Sequence, residues 1–438
     1  MDQTEVFRKF YEPITDELLN NQFARNCPDV NDRDFIQLGI HRVLGEDKSG
    51  RAFLQRCLLE NISSIELTLF FKSLKSNRRL DHLNEVCNLL SKELNLALQS
   101  SDKLKLFKEL DDFDIYGSDG HFHEWACHDE KFETKSQIKS EATENRTESH
   151  KSSKRSVQHF YSISLRTKTA HHLTVAQIGG DKKKEHDIHA LKRLDKDTLR
   201  LNAKKGVKVL HVYDRACIDF HQWYKWKRND GIYFLSREKS NSALQTIGQP
   251  PFDKNDPINK GVISNDMVGT SNGEAFRRIV YQCPLTKEIF SFLTTLPDSI
   301  RPGVIVMLYK LRWEVEKLFD SFKNKLEEKK AWASSETAKT MQALFICLTH
   351  NLSLLINKKI ELEDDLVYTY DKVRKEKTLK EKQENLTSEG IEYTSTWETT
   401  LSVSQITIKF YRWLRVYATK NTSWSVAIAN LRVLYETF

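Results

Sequence analysis

The sequence predicts an α/β protein: a mixed sheet with flanking helices, preceded by an all-helical N-terminal domain and interrupted by a β-rich insertion. Three observations predict it. From Met1 to about Phe107 nearly all apolar residues recur at helical spacing. From Phe113 to Arg237, β-branched and aromatic runs alternate with helical stretches. From Pro250 to Thr295 that scheme breaks into Pro, Gly and short strand-like runs.

Composition bounds the reading. A chain of 438 residues, 39% hydrophobic, is long enough for two or three domains and a sizeable core. No apolar run approaches a membrane span, and the opening Met-Asp-Gln-Thr-Glu-Val-Phe lacks the order of a signal peptide, so no membrane association and a cytoplasmic location are expected. Seven scattered cysteines without a Cys-x2-Cys pair predict reduced thiols and no zinc site. A net charge of +7 permits nucleic-acid binding without assigning it.

In chain order, Phe35 to Leu44, Ala52 to Leu59, Ile65 to Leu74 and Leu83 to Leu98 each read as helix, with Ser49 and Asn61 standing where N-caps are expected. The basic segment Lys72 to Arg79 is a candidate DNA contact or a solvated helix end. Phe113 to Gly120 is a β-prone run ending in an acid and a glycine, which puts Asp119 at a strand terminus, although Asp-Gly alone is equally a turn signal. His121, His123, Glu124 and His128 fit no standard zinc spacing. His128 to Ser156 reads as a polar loop or insert; Val157 to Arg166 and Thr169 to Ile178 read as a hairpin, and Lys184 to Asn202 as a helix.

Val207 to Asp214 is an apolar strand that again ends in an acid, followed by a helix from Phe220 to Lys227 and a strand from Gly231 to Arg237. After the insertion, Tyr309 to Lys323 has no Gly or Pro, and Leu308, Leu311, Val315, Leu318, Phe319 and Phe322 recur at helical steps, with the helix running to about Lys330. At about 100° per residue, Tyr309, Arg312, Glu316 and Lys323 fall beside its apolar face. A carboxylate there can ligate a divalent metal and the cations can grip phosphate. The same pattern suits a core helix with intrahelical pairs, since Arg312 and Glu316 are four residues apart. Ser335 to Lys358 is another long helix, Glu361 to Gly390 a charged solvated segment, and Gln405 to Phe438 an aromatic and Arg-bearing tail that caps the core or joins a partner subunit. The implied boundaries are 1–107, 108–249, 250–299, 300–360 and 361–438.

The spacing Tyr309-x2-Arg312-x3-Glu316-x6-Lys323, with Trp313 after the arginine, resembles the Y-R-E-K signature of the insertion-sequence-four family of bacterial DDE transposases. The element order β-β-β-α-β-α-β-α is that of a ribonuclease H-like fold, whose first and fourth strands lie side by side, and the family places a β insertion before the helix of its third acid. The resemblance covers about Asp112 to Lys330. It implies Asp119, Asp214 and Glu316 as catalytic ligands of two Mg²⁺ or Mn²⁺ ions, with DNA cleavage at transposon ends followed by strand transfer and no covalent protein intermediate. It implies that Tyr309, Arg312 and Lys323 hold terminal phosphates of the transposon end, while Trp313 is structural. The partners would be double-stranded DNA, both ends and target, and a second copy in a DNA-bound homodimer, at the nucleoid of a bacterial cell. Two features depart from the family: His121 follows Asp119-Gly120 where a small hydroxyl residue is common, and Leu293 to Leu296 lacks an Asn. Asp111, Asp112 and Asp114 are lower-ranked acids near the first strand.

Three other readings compete. A metal-dependent nuclease without strand transfer would use the same site. A transposase-derived DNA-binding protein that no longer cuts would be expected to have lost an acid, whereas all three are present. A helical scaffold with an incidental charge pattern gives no reason for acids at strand ends.

Overall fold

In the computed structural model, which describes residues 5–13, 30–99, 102–124, 156–177, 185, 187–201, 203–284, 286–326, 330–388 and 406–437, helices α1 (Glu5–Tyr11), α2 (Asp32–Leu44), α3 (Gly50–Leu59), α4 (Leu67–Leu74) and α5 (Asn77–Ala97) precede the sheet. Ser49 caps α3 by accepting from the Ala52 N–H. Asn61 is not a cap. It takes a left-handed φ of 54° where Ile62 N–H bonds back to Cys57 O, so it ends α3, a conformation that Asn tolerates better than most residues. Nor are Arg78 and Arg79 a free basic patch. Arg78 grips Asp32 with two 2.7 Å bonds, and Arg79 donates to Val30 O while lying 4.7 Å from the Phe35 ring centre, which braces α5 against the start of α2.

Strands β1 (Phe113–Glu124), β2 (Ser156–Ser164) and β3 (Ala170–Val175) form an antiparallel meander. The segment expected as one helix over 184–202 is two short ones, α6 (Asp187–Lys192) and α7 (Lys196–Arg200), because Asp195 between them caps the second by accepting from Thr198 N–H. Then come β4 (Lys208–Val212), α8 (Phe220–Asp230) and β5 (Ile232–Arg237). β4 pairs in parallel with β1 and with β5, so the first and fourth strands are neighbours. Strands β6 (Gln245–Gly248), β7 (Val262–Gly269), β8 (Ala275–Gln282) and β9 (Ile289–Thr294) extend the same sheet, with β9 antiparallel to β5. The full order is β3-β2-β1-β4-β5-β9-β8-β7-β6.

The signature stretch is not one helix. α9 (Pro302–Leu311) and α10 (Trp313–Lys325) meet at Arg312, where Val315 N–H bonds to Arg312 O, one residue short of an α-helical span. α10 ends at Lys325, before the expected Lys330. α11 (Glu336–Glu363), capped by Ser335, packs on β3, α2 and α5. Its Asn351 both donates to and accepts from the Ala170 backbone, which satisfies polar groups on the β3 edge. The charged segment beyond it forms a largely exposed helix, α12 (Tyr370–Ser388). α13 (Ile408–Thr419) and α14 (Trp424–Thr437) bury Phe410, Trp413, Leu414 and Leu431 in the same core as the N-terminal helices. The tail therefore caps the molecule's largest core.

Candidate active site

The last parallel pair between β1 and β4 is Gly117 opposite Val212. Asp119 and Asp214 each lie two residues beyond it, one on each strand, so the register itself carries both acids to the same end of the sheet. Asp119 is not at a strand terminus: β1 continues to Glu124 because β2 pairs with it as far as Glu124 opposite Ser156. What ends near Asp119 is the parallel neighbour, and that opens the β4 side to solvent and to α10. Asp214 follows β4, caps the short 3₁₀ turn Arg215–Cys217 by accepting from Ala216 N–H, and accepts from Ser236 Oγ on its carbonyl.

Gly117 decides how closely α10 approaches. A Cβ at Gly117 would stand 2.4 Å from Val315 Cγ2, so a larger residue would push the helix off β1. With that approach, Arg312 donates to Asp119 Oδ2 at 2.7 Å and to Glu316 Oε1 at 2.9 Å. One guanidinium thus bridges two of the three expected acids. Burial pushes the Asp119 carboxyl up to about 6; Asp214 and Asp187 add repulsion, outweighing Arg312 and the Gly120 N–H, which pull the other way. Burial works against the Arg312 charge, but Asp119, Tyr309 and Glu316 hold its pKa above the ordinary arginine value.

The strands beneath are locked by a neutral polar chain. Ser118 Oγ meets Ser162 Oγ and lies 3.0 Å from His211 Nδ1, while His211 Nε2 is 2.8 Å from Leu199 O. Leu199 O can only accept, so His211 carries its proton on Nε2 and takes the serine hydroxyl's hydrogen on Nδ1. Burial lowers its pKa to about 4, which keeps the ring neutral.

Beside Asp214, ligand atoms of Asp187, Asp214 and Cys217 all lie within 4.8 Å of one another. Burial and the nearby carboxylates push the Cys217 thiol well above its ordinary value, so it stays protonated. Tyr309 packs on Phe292 with ring centres 4.9 Å apart, and its own ring centre is 5.9 Å from the Arg312 guanidinium. Lys323 is exposed on α10, seven residues or about 10 Å along the axis from Glu316, and has no ion pair among the described residues. Arg312, Asp119 and Glu316 are therefore in direct contact, Asp214 and Tyr309 border them, and Lys323 stands apart. Trp313 is 61% exposed, not a core residue. Trp223 and Trp226 are buried, and Trp332 stacks on Phe345, whereas Trp125 lies outside the described residues.

A family model described as the transposase DDE domain matches residues 125–352, more than half of the chain. The chain belongs to the DDE transposase domain family. Membership supports a transposase, an enzyme of DNA transposition, and implies DNA binding. Transposases of this family typically use divalent metals, and the acidic group around Asp214 fits such ions. The match includes Asp214, Tyr309, Arg312, Glu316 and Lys323 and begins just after Asp119. No match was found among curated proteins. The large mixed sheet with its many helices is consistent with a ribonuclease H-like transposase domain. Among the described residues, no helix is long and apolar enough to cross a membrane.

Several residues that shape the candidate site were not singled out in the sequence. Gly117 looks like part of a turn signal, and only the approach of Val315 gives it a role. Ser118 and His211 look like strand residues of no special kind, and their contact depends on the β1–β4 register. Asp187 closes the charged run Asp181-Lys-Lys-Lys-Glu-His-Asp187, which reads as solvated surface. His121, a tempting ligand by composition, packs instead on Phe319 at 4.9 Å.

Proposed function

We propose that this transposase cleaves DNA at transposon ends in a metal-dependent reaction and transfers the strand into target DNA, with Asp119, Asp214 and Glu316 as its catalytic ligands. Within its family we assign it to the insertion-sequence-four group on the Y-R-E-K spacing. We keep the core as residues 108–249 and 300–360 around the 250–299 insertion. The observation that carries the reading is the meeting of Asp119 and Glu316 on one guanidinium beside Asp214, from three separate elements.

The donor set fits Mg²⁺ or Mn²⁺, because the expected ligands Asp119, Asp214 and Glu316 are all hard carboxylates. Two such ions, when bound, supply Lewis-acid activation of a water or 3′-hydroxyl and stabilise the leaving oxygen. The chain's own residues position the DNA. The Arg312 fork matches two phosphate oxygens and is the group whose release from Asp119 and Glu316 uncovers their oxygens. Tyr309, wedged between Phe292 and Arg312, orients that fork, and exposed Lys323 meets the backbone as a point charge. Two ends must be joined, so the working form is a homodimer on DNA.

Glu316→Gln keeps the shape and removes a ligating charge. We expect cleavage of an end-containing duplex to be lost while binding of that duplex stays within about two-fold; a variant that still cuts would sink the assignment. Strand transfer is read in the same assay by adding pre-cleaved ends and a target plasmid.

A further inference from the structure

We propose that Asp187 is a fourth carboxylate of the metal site, facing Asp214 across the position of one divalent cation, and that Gln158 and Gly120 serve to hold it there. The proposal rests on the DDE reading above. Asp187 opens α6, near enough to Asp119 to add to the repulsion on it, and its carboxylate lies within 4.8 Å of both the Asp214 carboxylate and Cys217 Sγ.

Two independent features mark this place as built. First, Gln158 on β2, only 5% exposed, donates from Nε2 to Asp187 Oδ1 at 3.0 Å. Its amide can reach there because the neighbouring residue is Gly120: a Cβ at that position would stand 2.5 Å from Gln158 Nε2 and drive the amide away. A glycine beside the first catalytic acid thereby places a carboxylate beside the second. Second, Cys217, 4% exposed, has its thiol within that 4.8 Å group; its backbone bonds to Asp214 O and Trp223 Nε1, but its thiol makes no hydrogen bond among the described residues. Asp214 itself has no ion pair among the described residues. Carboxylates brought this close repel one another, and a divalent cation between them removes the repulsion. The predicted ligand is a hard divalent ion taken chiefly through oxygen, Mn²⁺ or Mg²⁺.

The test is isothermal titration of the full-length, DNA-free protein with MnCl₂, for the wild type, Asp214→Asn, Asp187→Asn and Gln158→Leu, with metal-free melting curves as a folding control. We expect Asp214→Asn to lose most binding, Asp187→Asn to weaken Mn²⁺ affinity at least about ten-fold, and Gln158→Leu to weaken it by a smaller factor, as removal of an orienting group does. If Asp187→Asn is too poorly folded to titrate, Gln158→Leu, which leaves every carboxylate in place, decides. Wild-type affinity in Asp187→Asn, or in Gln158→Leu where that variant decides, with Asp214→Asn weakened, overturns the role of Asp187 and leaves the DDE reading standing. Wild-type affinity in Asp214→Asn overturns the DDE reading itself, and the role of Asp187 with it.

Discussion

The two flanks of the site are built on opposite principles. On one, Asp119 and Glu316 share the Arg312 guanidinium, so two carboxylates are held together by a cation that belongs to the chain. On the other, Asp214 stands beside Asp187 and a protonated thiol, and is oriented by a backbone N–H instead of a positive side chain. The difference teaches that the resting site is half compensated. One flank already carries a side-chain cation, and on the other Asp214 has no ion pair among the described residues.

Substitutions on the two flanks should therefore part company. The largest effect is on cleavage: Asp214→Asn should lower the rate by about 10³-fold or more, since one ligand to a charge-stabilising ion contributes several kcal/mol. Yet its metal-free melting temperature should stay level or rise, because one source of repulsion on Asp119 is gone. Arg312→Ala should behave the other way in the metal-free protein, losing about 1–3 kcal/mol as Asp119 is left buried without its donor. Equal melting shifts in the two variants would erase the distinction between the flanks.

Gly117→Ala comes next. Its methyl meets Val315 of α10, and overpacking of this kind costs about 1–3 kcal/mol while moving Arg312 and Glu316 away from Asp119. A denaturant midpoint and a cleavage assay read both parts, and an unchanged cleavage rate would show that α10 can slide without moving the acids.

Acidification sharpens the comparison further. Burial holds His211, His171 and His350 at about 4 and His41 at about 3, all below the ordinary 6.5. Their stabilising contribution is full above pH 6.5 and is lost as pH falls towards those values, because the unfolded chain takes up the protons first. Asp119 has the opposite sign: with a folded value of about 6 against 3.8, its contribution is full at low pH and is lost as pH rises through about 6. The histidines outnumber it, so chemical denaturation should show lower stability at pH 4.5 than at pH 7.5, and Asp119→Asn, which lacks the opposing group, should lose more over that interval than the wild type. The smallest effect belongs to Lys323→Ala, which should reduce the salt slope of end binding by about one phosphate contact and leave metal-free stability alone.

Much of this architecture was legible because it rests on local periodicity. The strand that carries Asp119, the strand that leads into Asp214, and the cap at Ser49 follow from alternation and side-chain chemistry. Tyr309, Arg312 and Glu316 were marked by spacing, and the contact of Arg312 with Glu316 follows from helical geometry. What escaped depends on contacts between distant segments. The joint at Arg312 is invisible in a stretch free of Gly and Pro. Asp187 lies amid surface-like charge and is held by Gln158, whose amide has room beside Gly120, a contact between segments distant in sequence. Arg78 and Arg79 read as a solvent-facing patch because Asp32, their partner, is far away in sequence.

The packing of α1 against α13 and α14 has a consequence for biosynthesis. Lys9 lies over the Trp424 ring at 4.3 Å, the Glu5 carboxylate accepts from Trp424 N–H, and Phe7 and Phe10 share a core with Phe410 and Trp413. Helix α1 thus needs helices about 400 residues later in the chain to cover its apolar face. Helix α1 reaches its final state only after Trp424 to Leu431 has emerged from the ribosome, and until then it presents sticky surface to chaperones.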